Sequence, residues 1–391
     1  MADRFATRAV HAGEARSHPY GALTVPIVQS STFLFADSAE VRAFMEAKAA
    51  GDRPRDDYGR YGHPTQRAAE AKLAALEGGE QALLFASGMN AITTTLLSLL
   101  RCGDHLVLIW DGYHKTREFV LDFLPRFGIE VTARPVETIP SLDGALRPNT
   151  RLILAEAPSN PFLRVPDLPA LSALARRRGL HLLVDSTFAT PVNLRPLEWG
   201  AGLVLHSATK YLGGHNDLLA GVVIGSRALL PEVEKARGLL GGVLGPQEAY
   251  LLLRGLKTLE LRLLRQNATG LEVARFLAGH PRVRRVHYPG LESHPDHALA
   301  RRIMTGFGGV VSFEFDGDFA ATGRFVDQLR LPGIGPTLGG VESIVQQPAA
   351  HLSLDPRERA AAGLPDNLVR LALGIESPED LIADLQQALR A

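Results

Sequence analysis

The middle of the chain alternates short apolar runs with helical stretches. The runs fall at 81–86, 106–110, 130–134, 151–155, 180–185 and 203–206. They are continuous rather than alternating, which predicts strands buried on both faces, and helices between them predict a mostly parallel sheet with a helical layer on each side. A further run at 221–225 predicts an extra strand at the sheet edge. Helices are expected at 65–76, ending on Gly78-Gly79, and from Asn90 onward.

On either side the pattern changes. Residues 2–54 read as an arm, with an extended run at 25–35 and a helix at 38–50 that Asp37 or Ser38 caps by accepting from free amides. Residues 51–62, including Tyr58-Gly59-Arg60-Tyr61, carry neither period and read as an ordered loop or a linker. After Leu244 come a long helical stretch (246–278) broken only by glycines, strands at 283–287, 309–315 and 368–373, and a helix at 319–329. A last helix starts with proline in its first turn after Ser377. The expected division is an arm (1–60), a large α/β domain (61–250) and a smaller α+β domain (251–391), with no internal repeat.

Composition narrows the function. Among 391 residues, Lys+Arg and Asp+Glu are both 42, a formal net charge of +0 that argues against a general nucleic-acid or anionic-membrane binder. The single cysteine, Cys102, excludes an internal disulfide, and no zinc pattern exists. The opening MADRFATRAVHAG lacks an apolar signal core and no apolar run is long enough to span a bilayer, so a cytoplasmic enzyme is expected. There is no GxGxxG after a strand, no P-loop, no HExxH and no GxSxG.

The chemistry gathers at strand ends. LVLHSATKYLGG runs from an apolar strand into Ser207-Ala208-Thr209-Lys210 and breaks on Gly213-Gly214. Desolvation there favours the neutral, nucleophilic amine, suited to a Schiff base with an aldehyde such as pyridoxal phosphate; a surface lysine after a strand fits the spacing as well. Ser87-Gly88-Met89 lies where a strand turns into a helix, so its amides form an anion site or simply a turn. Asp185 closes GLHLLVD, where open α/β sheets bind ligands; it would pair with a protonated pyridine nitrogen, or cap the following turn. Tyr113 offers a face for a planar cofactor, or is a half-buried loop tyrosine. Asn160, between prolines, has a similar address. Arg370, inside an apolar strand, is either a structural ion-pair partner or a fork for a substrate carboxylate.

Taken together, YGRYGHPT, ASGM, APSNPF, DSTFATP, HSATKYLGGHND and VRLALGIE resemble, in order, the pyridoxal-phosphate enzymes of cysteine and methionine metabolism, the cystathionine γ-synthase/γ-lyase family. DGYHKTR, LLGGVLGPQEAYLLLRGLKTLELR and ESIVQQPA are most similar to its plant-type synthases. The resemblance implies a type I fold, pyridoxal 5'-phosphate on Lys210, Asp185 at the ring nitrogen and Tyr113 stacked on the ring. It places Gly88, Met89, Ser207 and Thr209 at the phosphate, with Ser87, Asn160 and Thr187 also in contact with the cofactor. Tyr58 and Arg60 would reach a neighbouring subunit's phosphate site, implying a homo-oligomer, a tetramer built as a pair of dimers. Arg370, Asn160 and Thr337 would bind substrate, and Lys115 would face the leaving group on the γ carbon. The implied reaction joins an activated homoserine ester to cysteine as L-cystathionine, with γ- or β-lyase chemistry as the alternative within the family and an idle cofactor-binding regulator outside it. Three positions depart from the family pattern. His63 replaces asparagine, Thr337 replaces serine, and Pro336, shared with plant-type enzymes, replaces an acidic residue and weakens the γ-lyase assignment.

Overall fold

The computed structural model describes residues 4–52, 54–352, 355–361 and 363–390. Seven of the apolar runs form one sheet: β1 (Gln81–Phe85), β2 (His105–Ile109), β3 (Glu130–Arg134), β4 (Thr150–Glu156), β5 (His181–Asp185), β6 (Leu203–Ser207) and β7 (Gly221–Gly225), in the order β1-β7-β6-β5-β4-β2-β3. From β6 through β3 all neighbours are parallel. Side chains alternate between two apolar layers. Leu154, Leu183, Leu203 and Leu205 join the layer under the helix Gly88–Leu99, while Ile153, Val184 and Val204 join the layer on the opposite face. This two-sided burial is why most of the strands read as unbroken apolar runs; β3, at the sheet edge, is partly exposed and carries Glu130, Thr132 and Arg134.

One expectation about the sheet is corrected. The run at 221–225 is not an edge strand: β7 lies between β1 and β6 and is antiparallel to both. Apolarity reports burial, not direction. The chain makes a tight return after β6 instead of a helical crossover, and that return carries Lys210. The stretch at 25–35 forms no strand; its pairing is an isolated bridge between Thr32 and Tyr58. The helix after it runs Ser38–Ala49, with Asp37 accepting from the amides of Ala39 and Glu40 as expected.

Beyond β7 the helical stretch is two helices, Pro246–Leu256 and Leu259–Ala278. A second sheet follows: β8 (Val283–His287), β9 (Val310–Phe315), β10 (Gly333–Ile334), β11 (Ile344–Gln346) and β12 (Leu368–Ala372), in the order β10-β11-β12-β9-β8. The helix Leu259–Ala278 ties the two sheets together. Arg262 donates to the carbonyl of Tyr211 at 2.8 Å, in the turn just after Lys210. One turn later, Gln266 donates to Gly340 at 2.9 Å and to Leu373 at 3.0 Å, beside β12. Among the described residues no helix is long and apolar enough to cross a membrane.

The turn after Lys210 also limits what packs on it. A Cβ on Gly255 would lie 2.1 Å from the carbonyl oxygen of Gly213 and 3.0 Å from that of Leu212, too close for either backbone to yield. Gly255→Ala is therefore expected to destabilise the protein by about 1–3 kcal/mol, as overpacking does. A thermal melt should show this as a midpoint lowered by several degrees, and an unchanged midpoint would contradict the close packing.

Candidate functional site

The period of two along each strand decides which strand-end residues meet. Asp185 ends β5 and Ser207 ends β6 on the face that carries Leu183 and Leu205, the side of the helix Gly88–Leu99. That helix begins right after β1, and its first turn opens onto the same edge. Gly88 is needed there: a Cβ would sit 2.8 Å from Ser207 Cβ. The carboxyl ends of the strands and the helix N-terminus thus enclose a cavity of about 220 Å³. Its wall includes Ser87, Gly88, Met89, Tyr113, Asn160, Asp185, Thr187, Ser207, Thr209, Lys210 and Arg370, so most of the expected constellation is brought together.

Lys210 is half-buried, and its Nζ donates to Thr337 Oγ1 at 3.0 Å. Burial first, and then the Arg370 charge, push its amine down to about 8. Arg370 projects from β12 and is only 5% exposed. Its Nη1 donates to Asn160 Oδ1 at 3.1 Å and its Nη2 to the Thr337 carbonyl at 3.4 Å, while Nε is buried without a partner. Desolvation pushes the guanidinium down to about 10. No carboxylate forms an ion pair with either cation among the described residues. Each is therefore open to an anion supplied from outside.

At the other end sits Asp185. Its Oδ1 accepts from the Thr187 amide at 3.0 Å and the Thr187 hydroxyl at 2.5 Å, and the Thr187 oxygen in turn accepts the Ser207 amide at 2.8 Å. Burial pushes the Asp185 carboxyl up, and the two Thr187 bonds oppose that. Two hydroxyls expected at the cofactor, that of Thr209 at its phosphate, already have backbone partners. Ser87 caps the helix by accepting from Asn90 at 3.1 Å, and Thr209 Oγ1 accepts from Ala220 at 2.9 Å and donates to it at 3.2 Å.

Lys115 is not brought to this cavity, and Tyr58 and Arg60, expected at a neighbouring subunit's site, lie away from it as well. Lys115 is exposed and pairs with Glu118, one turn along its helix, at 2.6 Å. Tyr58 is 44% exposed. Arg60 lies over the Tyr61 ring at 4.8 Å and donates to the carbonyl of Gly238. Conversely, the sequence reasoning passed over Glu156. It ends β4 directly opposite Asp185 in register and is 8% exposed. The signal was the one that flagged Asp185: a carboxylate closing an apolar run. A second cavity of about 330 Å³ shares Tyr113, Asn160, Pro336 and Arg370 with the first and adds Trp110, His114, Arg117 and His351. A wider cleft of about 930 Å³ reaches Lys210, Thr337 and Glu248. Among the described residues no cluster of His, Cys, Asp or Glu could hold a metal ion.

The model of the Cys/Met metabolism PLP-dependent enzyme family matches residues 6–390. The chain is 48% identical over 387 residues to cystathionine gamma-synthase 1, chloroplastic, of Arabidopsis thaliana, covering 98% of this chain and 68% of that one. It is 43% identical over 390 residues to an L-methionine gamma-lyase of Fusobacterium nucleatum subsp. polymorphum, covering 98% and 97%. Among solved structures it is similar to metB from Corynebacterium glutamicum, with a TM-score of 0.92, 36% identity and coverage of 99% and 98%.

The residues present suit pyridoxal phosphate. A half-buried amine with lowered basicity, a buried carboxyl, the opening turn of a helix and a guanidinium with an unpartnered nitrogen line one cavity. This electrostatics makes a pH prediction. In coenzyme-free protein, Lys210 should become reactive toward an amine acylating reagent as pH rises through about 8, because the proton leaves there, whereas exposed lysines follow near 10.4. Removing the neighbouring charge in Arg370→Leu should move the Lys210 midpoint upward. Peptide mapping of the labelled protein across pH checks both, and a midpoint at the ordinary lysine value would refute the desolvated amine.

Proposed function

From the membership of this chain in the family of Cys/Met metabolism PLP-dependent enzymes, we propose that it is a cystathionine γ-synthase: it replaces the ester group of an activated homoserine with the sulfur of cysteine and releases L-cystathionine. The observation that carries the pyridoxal-phosphate chemistry is the placing of Lys210, Asp185 and Arg370 around one cavity, 25 and 160 or more residues apart in sequence, and the 48% identity to a plant cystathionine gamma-synthase favours replacement. When bound, pyridoxal phosphate joins the substrate amine and withdraws electrons into its protonated ring, which acidifies the hydrogens on Cα and then on Cβ.

This chain's residues supply the rest. Gly88, Met89 and the Ser207 segment would receive the phosphate on backbone amides, and Asp185 would hold the proton on the ring nitrogen. Tyr113 would cover the ring face and exclude water. Arg370, held by Asn160, would fix the substrate carboxylate in a planar fork. Lys210, the one lysine in the cavity wall, takes the Cα proton and returns protons as the ester group leaves Cγ and the thiolate adds there. Burial keeps the basicity of that amine below an ordinary lysine's, which suits it to serve as base and then as acid. Thr337 steadies that amine between turns.

A lyase reading is the second one, because the methionine gamma-lyase match covers nearly the whole chain. We further propose a homotetramer in which Tyr58 and Arg60 complete a neighbour's site. The arm supports it, since Tyr20, Leu23 and Leu34 are 103%, 93% and 87% exposed. Light scattering on the purified protein tests the assembly, and a monomeric mass would reject it.

The reaction is tested with two incubations. A homoserine ester plus cysteine should yield cystathionine, whereas cystathionine alone should give little 2-oxobutyrate or pyruvate; keto acid as the main product would make the protein a lyase. Lys210→Ala should abolish turnover. Asp185→Asn should still bind the coenzyme and lose activity by on the order of 10²-fold, the scale of losing a charge that stabilises a transition state. Near-wild-type rates in either variant would remove the assigned role.

A further inference from the structure

Glu156 has the most telling surroundings of any group the proposed chemistry leaves unused. It is the register partner of Asp185, so the two side chains leave neighbouring strands on one face and line the same cavity. Its Oε2 accepts the Tyr113 amide at 2.7 Å. The Asn160 amide stands near enough to the same carboxyl to favour its charged form. One buried side chain therefore holds the residue expected on the ring face and neighbours the residue that holds Arg370. The approach is close enough to dictate the sequence beside Tyr113: a Cβ on Gly112 would lie 3.0 Å from Glu156 Oε2.

We propose that Glu156 is a positioning residue for the coenzyme: as a hydrogen-bond acceptor it fixes the loops of Tyr113 and Asn160 against the ring and the substrate carboxylate. It leaves Asp185 to face the ring nitrogen. The inference rests on the assignment of the cavity to pyridoxal phosphate and of Lys210 to its attachment. The charged groups around Glu156 are Asp185 on β5, Arg117 on the helix His114–Glu118 and, beyond Arg117, Asp111. Burial and the Asp185 charge both push the Glu156 carboxyl well up, consistent with acceptance, not negative charge, being its contribution.

Three variants separate these roles. Glu156→Gln keeps an acceptor of the same reach, Glu156→Asp is one carbon short, and Glu156→Leu keeps the shape without an acceptor. The expected result is a Gln variant close to wild type. The Leu and Asp variants should bind the coenzyme roughly tenfold more weakly, the scale of a buried amide left unpaired. Their bound coenzyme should show reduced visible circular dichroism, and kcat should fall along with a raised KM for the amino acid. Leu and Asp variants with unchanged coenzyme affinity and dichroism would overturn the proposal, and so would a Gln variant as impaired as Asp. If the Leu protein does not fold, the Gln and Asp pair decides alone. Borohydride reduction and peptide mapping of the wild type keep the two ideas apart. Coenzyme on another amine removes the cofactor reading, whereas coenzyme on Lys210 with variants indistinguishable from wild type removes the Glu156 inference only.

Discussion

Two cations share one desolvated cavity. The amine of Lys210 and the guanidinium of Arg370 meet through Thr337, whose hydroxyl accepts from the first and whose carbonyl accepts from the second. Burial weakens the hold of both cations on their protons, and the arginine's charge adds to that effect on the lysine. The lysine, with the more adjustable proton, gives way first. Its nucleophilicity is thus a consequence of the arginine's fixed charge as well as of its own burial.

The same cavity holds both kinds of group. Lys210 and Arg370 line it together with Asp185 and Glu156, which lie side by side at the ends of β5 and β4. Pyridoxal phosphate held there would meet the amine with its aldehyde and Asp185 with its ring nitrogen. The fold maintains this arrangement through the helix Leu259–Ala278. Arg262 holds the turn after Lys210 while Gln266, one turn along, holds the carbonyls of Gly340 and of Leu373, the residue just after β12. One helix thus helps to set the separation between the amine and the carboxylate fork, together with the Thr337 bridge.

Much of this was legible in the sequence because strand ends are easy to find. Lys210, Asp185 and Arg370 each interrupt an apolar run, and a charged residue in such a run needs a partner or a purpose. What was not legible depends on directions and on competition. The apolar run of β7 says nothing of its antiparallel course between β1 and β6. The hydroxyls of Ser87 and Thr209 look available in the sequence, yet nearby backbone claims both. Lys115 finds Glu118 one turn away before it finds the cavity. Glu156 was overlooked because its run was read as ending one residue earlier, at Ala155, and a one-residue change of end decides whether a strand terminates in methyl or carboxyl.

Synthase and lyase matches both span the whole chain, and the geometry explains why likeness alone does not separate them. Lys210, Asp185, Tyr113 and Arg370 act on the cofactor ring, Cα and the carboxylate, and both outcomes need those operations in full. The two diverge only after the γ substituent has gone, when Cγ takes either the sulfur of a second amino acid or a proton. Beyond the lysine, the 330 Å³ cavity adds Trp110, His114, Arg117 and His351 to the shared Tyr113, Asn160 and Arg370. A space of that size, with cationic and aromatic walls, has room for another zwitterion beside the first. Holding a thiol there would raise its effective concentration at the reacting carbon and favour sulfur addition over protonation, the step that leads to elimination.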